Sequence, residues 1–212
     1  MKVPSCSLHG KTVLKFEESY FISRFVEQFM TRAAPATAGD APVQLVMNAE
    51  TRKDIRPVVT RLLSSAREHI VIEVSYISDP ELLDLLVRRS HAGVRITMLL
   101  PKMPDFHHHA NLLTIGKLLS EGRASHVHVL LYPGMFHAKA LLIDGVTAFV
   151  GSANLFTASL DDMGEVNVLV RGKRRFLRTL RESMRRSILQ SRPITSPPTF
   201  LWLSRWLAWM GL

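Results

Sequence analysis

Cysteine is almost absent from this chain. Cys6 is the single one in 212 residues, which excludes an internal disulfide framework and leaves the compartment open. Long apolar runs are absent too. No stretch reaches the roughly 18 uncharged apolar residues of a membrane-spanning helix, and the opening MKVPSCSLHGKT lacks the apolar centre of a secretory signal, so neither feature is expected. No internal repeat is visible. Acidic residues are in deficit, with 18 Asp and Glu against 27 Lys and Arg, a net charge of +9 and a pI near 10.2. That imbalance implies an anionic partner, either nucleic acid or an acidic membrane surface.

What is present is apolar material enough for one core, 47% of the chain, and hence a single domain. Residues 17–32 read as an amphipathic helix, with Phe21, Phe25 and Phe29 beside Ile22, Val26 and Met30 at helical spacing; such a stripe signals core. Residues 31–41 are small and proline-rich, a loop pattern. From residue 42 strands and helices alternate. Strands are expected over 43–47, 70–76 and 94–100. Helices are expected from Thr51-x-x-Asp54 to about residue 67, and from Asp79-Pro80-Glu81 to residues 91–93. This alternation predicts an α/β fold: a mixed, largely parallel β-sheet flanked by helices, with ligands at the carboxyl ends of strands.

His107, His108 and His109 open a helix running to about residue 121. Metal ligands on a helix want i, i+4 spacing, and no cysteine or carboxylate cluster completes a shell, so these histidines read as a polar helix start at a site rim, with Asp105 or one of them within reach of a ligand. His126 and His128 alternate with Val127 and Val129 on the next strand and are expected on the solvent side.

The densest pattern lies in residues 132–167, YPGMFHAKALLIDGVTAFVGSANLFTASLDDMGEVN. His137, Lys139 and Asp144 form H-x-K-x4-D. Gly151-Ser152-Ala153-Asn154 follows, and then Glu165. Two apolar runs, 138–143 and 146–150, flank Asp144-Gly145, a strong hairpin signal. His137 and Lys139, two apart, are expected on one face of that ribbon, with the Gly-Ser-x-Asn turn aimed at the same spot. An imidazole is a nucleophile or proton carrier near neutral pH. An ammonium and an amide beside it hold the oxygens of a phosphoryl group and the charge that builds on them. Glu165 is the right group to accept the proton of the second ring nitrogen. The bland alternative makes His137 a satisfied core histidine and Lys139 a solvated neighbour; the fixed offsets of so many polar residues argue against it. His9-x-Lys11 has the first two residues of a second copy, but Phe16 stands where Asp is needed and no Gly-Ser-x-Asn follows, so it is read as chance.

The full pattern H-x-K-x4-D-x6-G-S-x-N resembles the signature of the phospholipase D superfamily, complete at every motif position, and the wider stretch is most similar to the second catalytic half of bacterial cardiolipin synthases. The resemblance spans roughly residues 12–192. It implies His137 as the nucleophile forming a phosphohistidine, Lys139 and Asn154 as phosphate-binding groups assisted by Ser152, Glu165 as the group orienting the imidazole, and a mainly structural part for Asp144 within the catalytic motif. The synthases continue past the Asn with Asp-x-Arg-Ser and later Asn-x-Glu. Phe156, Ala158, Ser159, Met163 and Glu165 stand at those places here, which keeps the reaction type and leaves the substrate open.

The resemblance implies an enzyme, a phosphatidyltransferase or phosphodiesterase of phospholipid metabolism, with no metal or cofactor, since Lys139 and Asn154 supply the charge stabilisation. It divides the chain into a helical lead-in (1–41), a phospholipase D-like catalytic domain (42–192) and a Trp-rich tail (193–212). Residues 173–189 form an amphipathic helix, with Phe176, Leu177, Leu180, Met184 and Ile188 on its apolar face. Arg174, Arg175, Arg178, Arg181, Arg185 and Arg186 crowd the other face. The helix is either a solvated surface or a patch for anionic phosphates. Pro193 to Pro198 breaks the chain. The tail beyond carries Phe200, Trp202, Trp206 and Trp209, spans about 21 Å as a helix, and so suits a lipid–water interface or a partner subunit rather than a bilayer crossing. Peripheral attachment to a membrane on its cytoplasmic side is the expectation. The double displacement needs two imidazoles, and one motif copy is present. A homodimer, a second motif-bearing half and an inactive remnant remain open, as does a homodimeric endonuclease of the same superfamily acting on nucleic acid.

Overall fold

The computed structural model describes residues 7–8, 11–12, 42–104 and 108–197. Cys6, His9, the helix expected over 17–32, the loop over 31–41, Asp105, His107 and the tryptophan-bearing part of the tail lie outside the described residues. The chain divides into two units, Met1–Ala38 and Gly39–Leu212. In the first, β1 (Ser7–Leu8) and β2 (Lys11–Thr12) pair antiparallel.

The second unit is built on one sheet. Its elements are β3 (Val43–Ala49), β4 (Arg52–Lys53), α1 (Ile55–Ser65), β5 (His69–Val74), α2 (Pro80–His91), β6 (Arg95–Pro101), α3 (His108–Glu121), β7 (Val127–Tyr132), β8 (Lys139–Ile143), β9 (Thr147–Gly151), α4 (Thr157–Asp161), β10 (Glu165–Arg171), α5 (Arg174–Gln190) and β11 (Arg192–Ile194). The strands lie in the order β11-β7-β6-β5-β8-β9-β10-β3-β4. The mixed sheet with flanking helices is as expected, but its parallel part is smaller than "largely parallel". Among the described strands only the neighbours β5–β6 and β6–β7 pair parallel, through the crossovers that contain α2 and α3. The remaining pairs are antiparallel. The link from β8 to β9 is a tight turn, far too short for the crossover that parallel pairing needs. In that turn Asp144 (φ 50°) and Gly145 (φ 69°) both adopt the left-handed region, as a type I′ hairpin demands.

Local chemistry explains most boundaries. Asp79 caps α2 by accepting the Leu82 amide at 3.0 Å, with Pro80 in the first turn. The expected box at Thr51-x-x-Asp54 does not form. Asp54 makes no side-chain cap; residues 52–53 fold back on β3 and Asn48 Oδ1 receives the Ile55 amide at 3.2 Å instead. Residues 193–198 are not simply a break. Arg192–Ile194 extend the sheet beside β7, and Pro193 is tolerated because this is an edge strand. One sheet face packs α5 onto Val71, Leu99, Ala140, Leu142, Ala148 and Val170 through Leu177 and Met184. Phe176 is 42% exposed, so the apolar stripe of α5 is narrower than its sequence suggests. The alternate residues Ile70, Ile72, Ile96, Met98 and Leu141 face the opposite side, which carries the crossover helices, and are all fully buried. Among the described residues no helix is long and apolar enough to cross a membrane.

Candidate active site

Strand direction decides where the site lies. β3, β5, β6, β7 and β9 run one way, β4, β8, β10 and β11 the other, so five carboxyl ends and four amino ends meet at one edge of the sheet. Lys139 opens β8, Gly151 closes β9 and Glu165 opens β10, and these three strands are neighbours. Gly151 is in register with Asn167, and Glu165 with Asn48. Alternation puts Lys139, Glu165 and Asn167 on the sheet face away from α5, because Ala140, Leu142 and Val170 belong to the α5 side. Gly151 sits between Lys139 and Asn167, whose strands are about 10 Å apart. A Cβ at Gly151 would stand 2.3 Å from Asn167 Oδ1 and from the Val166 carbonyl, so no side chain fits there.

Glu165 is held from two sides. Ser152 Oγ donates to its Oε2 and Ser159 Oγ donates to its Oε1 at 2.8 Å. Ser159 Oγ also receives the Asn154 amide at 2.9 Å, and Ser152 Oγ receives the Val166 amide at 3.0 Å. The Ala153 amide donates to Asn167 Oδ1 at 3.3 Å. The Gly-Ser-x-Asn turn is thus tied to the start of β10, and Asn154 Oδ1 is buried there with no hydrogen-bond partner among the described residues. The segment is fixed from below by α4. Arg56 Nε donates to Asp161 at 2.7 Å and Arg56 Nη2 to Asp79 at 2.6 Å, while Thr157 Oγ1 donates to Asp79 at 2.9 Å. Asp161 and Asp79 hold the Arg56 guanidinium cationic well beyond its ordinary range. Burial alone would raise the Asp79 carboxyl, but Arg56, the Leu82 amide and Thr157 outweigh it and keep it below the usual carboxylate value.

His137 is exposed and lies in the loop before β8 rather than on the ribbon itself. Its backbone is pinned on both sides. Lys139, 8% exposed, donates from Nζ to the His137 carbonyl at 3.1 Å, and Ser75 Oγ donates to the Phe136 carbonyl at 3.0 Å. Ser75 is held in turn by Asn111, whose Nδ2 donates to the Ser75 carbonyl at 2.8 Å. Glu165 was expected to orient the imidazole. In this structure both its oxygens go to Ser152 and Ser159, and among the described residues no hydrogen bond joins Glu165 to His137.

Asp144 is not at this edge. It stands at the far end of β8, about 16 Å along the strand from Lys139. Its carboxylate accepts the amides of Arg67, Glu68 and His69, each at 2.9 Å. Burial would raise its pKa, and these three amides outweigh burial and lower it. That geometry supports a structural part for Asp144. Sequence reasoning passed over Asn167, Ser75 and Asn111, and gave Ser159 no role. Glu165-x-Asn167 is the period-two spacing that puts two polar side chains on one strand face, and it was the available signal; Ser75 and Asn111 are brought together only by the crossover.

Described as "Cardiolipin synthase, PLD-like domain", one protein family matches residues 59–188. This chain belongs to that PLD-like (phospholipase D-like) family. The PLD-like chain is 30% identical over 137 residues to the major cardiolipin synthase ClsA of Bacillus subtilis, covering 62% of this chain and 28% of that protein. It is 28% identical over 214 residues to a cardiolipin synthase of Listeria innocua, covering 94% of this chain and 43% of the other. It therefore spans less than half the length of these relatives. Among solved structures, the fold is similar to Nuc from Salmonella typhimurium, a phospholipase D family member (TM-score 0.63, 20% identity, 73% of this chain and 98% of that one). It is also similar to phosphatidylserine synthase of Haemophilus influenzae (TM-score 0.66, 12% identity, 95% and 53%).

Proposed function

We propose that this PLD-like chain cleaves or exchanges a phosphodiester bond of a phospholipid, passing a phosphatidyl group to an alcohol or to water through a phosphohistidine at His137. The observation that carries the proposal is the assembly of Lys139, Ser152, Asn154 and Glu165 at the sheet edge where His137 stands exposed. A ring nitrogen of His137 attacks phosphorus, the bond to the leaving oxygen breaks, and a second acid protonates that oxygen. Water or an alcohol then gives its proton to the same group and attacks the phosphohistidine, which frees His137. Lys139 and Asn154 bind the non-bridging oxygens, with Ser152 assisting and holding Glu165, which orients the imidazole once substrate is bound. The second acid comes from another motif, in a homodimer or in a separate motif-bearing half.

A peripheral position on the cytoplasmic side of an anionic membrane fits the arginines of α5, of which Arg174, Arg175, Arg178, Arg185 and Arg186 form no ion pair among the described residues. The same excess of positive charge favours a second reading, a homodimeric endonuclease of the superfamily or, without turnover, a half-enzyme serving as a binding protein. Flotation with anionic vesicles, run beside phosphodiesterase assays on phospholipid and on DNA, tests the proposal. Vesicle binding with lipid turnover supports it; indifference to vesicles together with DNA degradation sinks it.

A further inference from the structure

At the edge of the sheet opposite His137, the face covered by α5 carries a second group of cations. Register sets His69 of β5 beside Arg95 of β6, and Thr97 of β6 beside His128 of β7. Val71 and Leu99, on the same strand faces, belong to the α5-side core, so this row points towards α5. His69 Nε2 meets Thr97 Oγ1 at 2.9 Å. His126, one residue before β7, lies within electrostatic reach of Arg95 and His128, as does His69. α5 adds Arg181 and Arg185. With His69 these two arginines rim a cavity of about 240 Å³ floored by Val71, Leu142 and Met184. A neighbouring cavity of about 450 Å³ shares Ile188 with it, takes Thr97, His128 and Thr195 as polar lining, and is otherwise walled by apolar side chains such as Leu118, Val129 and Leu130.

The acids nearby do not neutralise this row. The Asp144 carboxylate is committed to three backbone amides. Glu73, further along the same face of β5, is bonded to Ser187 at 2.9 Å. Glu68 and Glu182 are exposed. Among the described residues Arg95, Arg181 and Arg185 make no ion pair; Arg181 spends one N–H on the Gly145 carbonyl at 2.9 Å. Guanidiniums and imidazoles above an apolar floor complement a molecule with a phosphate at one end and a hydrocarbon chain at the other: the phosphate takes charge-assisted hydrogen bonds and the chain is removed from water.

We propose that this rim and its two cavities form an accessory binding site for the phosphate of an anionic amphiphile, a strand's length from the motif edge and independent of the chemistry at His137. Burial first, and then the positive charges of Arg95 and His128, hold His69 below the ordinary imidazole range. A bound phosphate reverses the sign of its surroundings and favours the imidazolium form.

The test titrates the full-length protein with dioctanoyl phosphatidic acid below its micellar concentration and, separately, with inorganic phosphate. The imidazole resonances of His126 and His128 report on the site itself. Saturable shifts of both are expected. Arg185→Glu, which removes no described hydrogen bond, should weaken binding by about tenfold or more, as for a lost charge-assisted contact; Arg181→Ala should do likewise if it folds. Arg61→Glu, on α1 and outside both cavities, should leave affinity within about twofold. If phosphate matches the lipid, the site serves free phosphate; if the lipid binds more tightly, the chain is engaged. Both results support the anion site. Unmoved imidazole resonances, or equal losses in Arg185→Glu and Arg61→Glu, would overturn it, and neither outcome bears on turnover at His137.

Discussion

The hydroxyl of Ser159 donates to Glu165 at 2.8 Å while receiving the amide of Asn154 at 2.9 Å. One side chain on a single-turn helix therefore ties the Glu165 carboxylate to the backbone of Asn154, whose side chain the motif brings to the edge of the sheet. Ser159→Ala leaves a buried acceptor and a buried donor unmatched, and should cost roughly 1–3 kcal/mol of stability. It should also lower phosphodiesterase activity at least tenfold at temperatures where the variant is folded. Unchanged kcat in a folded Ser159→Ala protein would remove Ser159 from the site's support.

His137→Ala should abolish turnover without moving the melting temperature, because the imidazole is exposed and makes no described hydrogen bond. Lys139→Ala should nearly abolish it, with some loss of stability because Lys139 is buried. A chromogenic phosphodiester assay beside thermal melting separates the two effects. Undiminished activity of His137→Ala refutes the nucleophile assignment.

Asp144→Ala should behave in the opposite manner, losing roughly 2–4 kcal/mol of stability with a smaller direct effect on chemistry, since three amides lose their acceptor and a non-glycine residue must keep φ near 50°. Asp144→Asn should be milder, as Asn tolerates that backbone region and retains one acceptor. The folded-state pKa of Asp144 lies below its unfolded value of about 4. Its contribution is therefore present above pH 4 and is lost as pH falls through the folded value. Urea melts of wild type and Asp144→Ala from pH 7 down to pH 3 should converge; a constant difference argues against the carboxylate.

Gly151→Ala should destabilise the sheet by about 1–3 kcal/mol and misplace Asn167, because the new methyl meets backbone and side-chain oxygens. Melting and activity should fall together. A Gly151→Ala protein as stable and active as wild type would show that β9 and β10 can move apart freely.

Glu73 is 8% exposed, and burial pushes its carboxyl up, with the Ser187 hydroxyl opposing in part. Its folded pKa lies above the unfolded one, so its contribution is most favourable below the unfolded value and is lost as pH rises through the folded value. Glu73→Gln should accordingly be more stable than wild type at pH 8 and no different below pH 4. An equal stability difference at both pH values would contradict the buried-carboxyl account.

Most of the order of strands and helices from residue 42 onward, though not β4, α4 or β11, was legible in the sequence, because alternation, the Asp79-Pro80 helix start and the Asp144-Gly145 turn are written in neighbouring residues. So were the members of the motif, since their offsets along the chain carry the pattern. Legibility failed where a residue's partner is distant. The Thr51-x-x-Asp54 signal lost to Asn48, which reaches the first helical amide from the adjoining strand, and Pro193 marks an edge strand only because β7 is there to pair with it.

By itself the sequence determined the residue types at the candidate site and the local geometry of the Asp144-Gly145 turn and the Asp79 cap, which depend on interactions a few residues long. Only the tertiary structure decided which motif members share an edge, sending Asp144 to the other end of β8 while Ser159, Asn167 and Ser75 joined the site. Strand direction and register make that choice, and both are settled by the burial of two sheet faces at once, a condition imposed by the whole chain and by no short stretch of it.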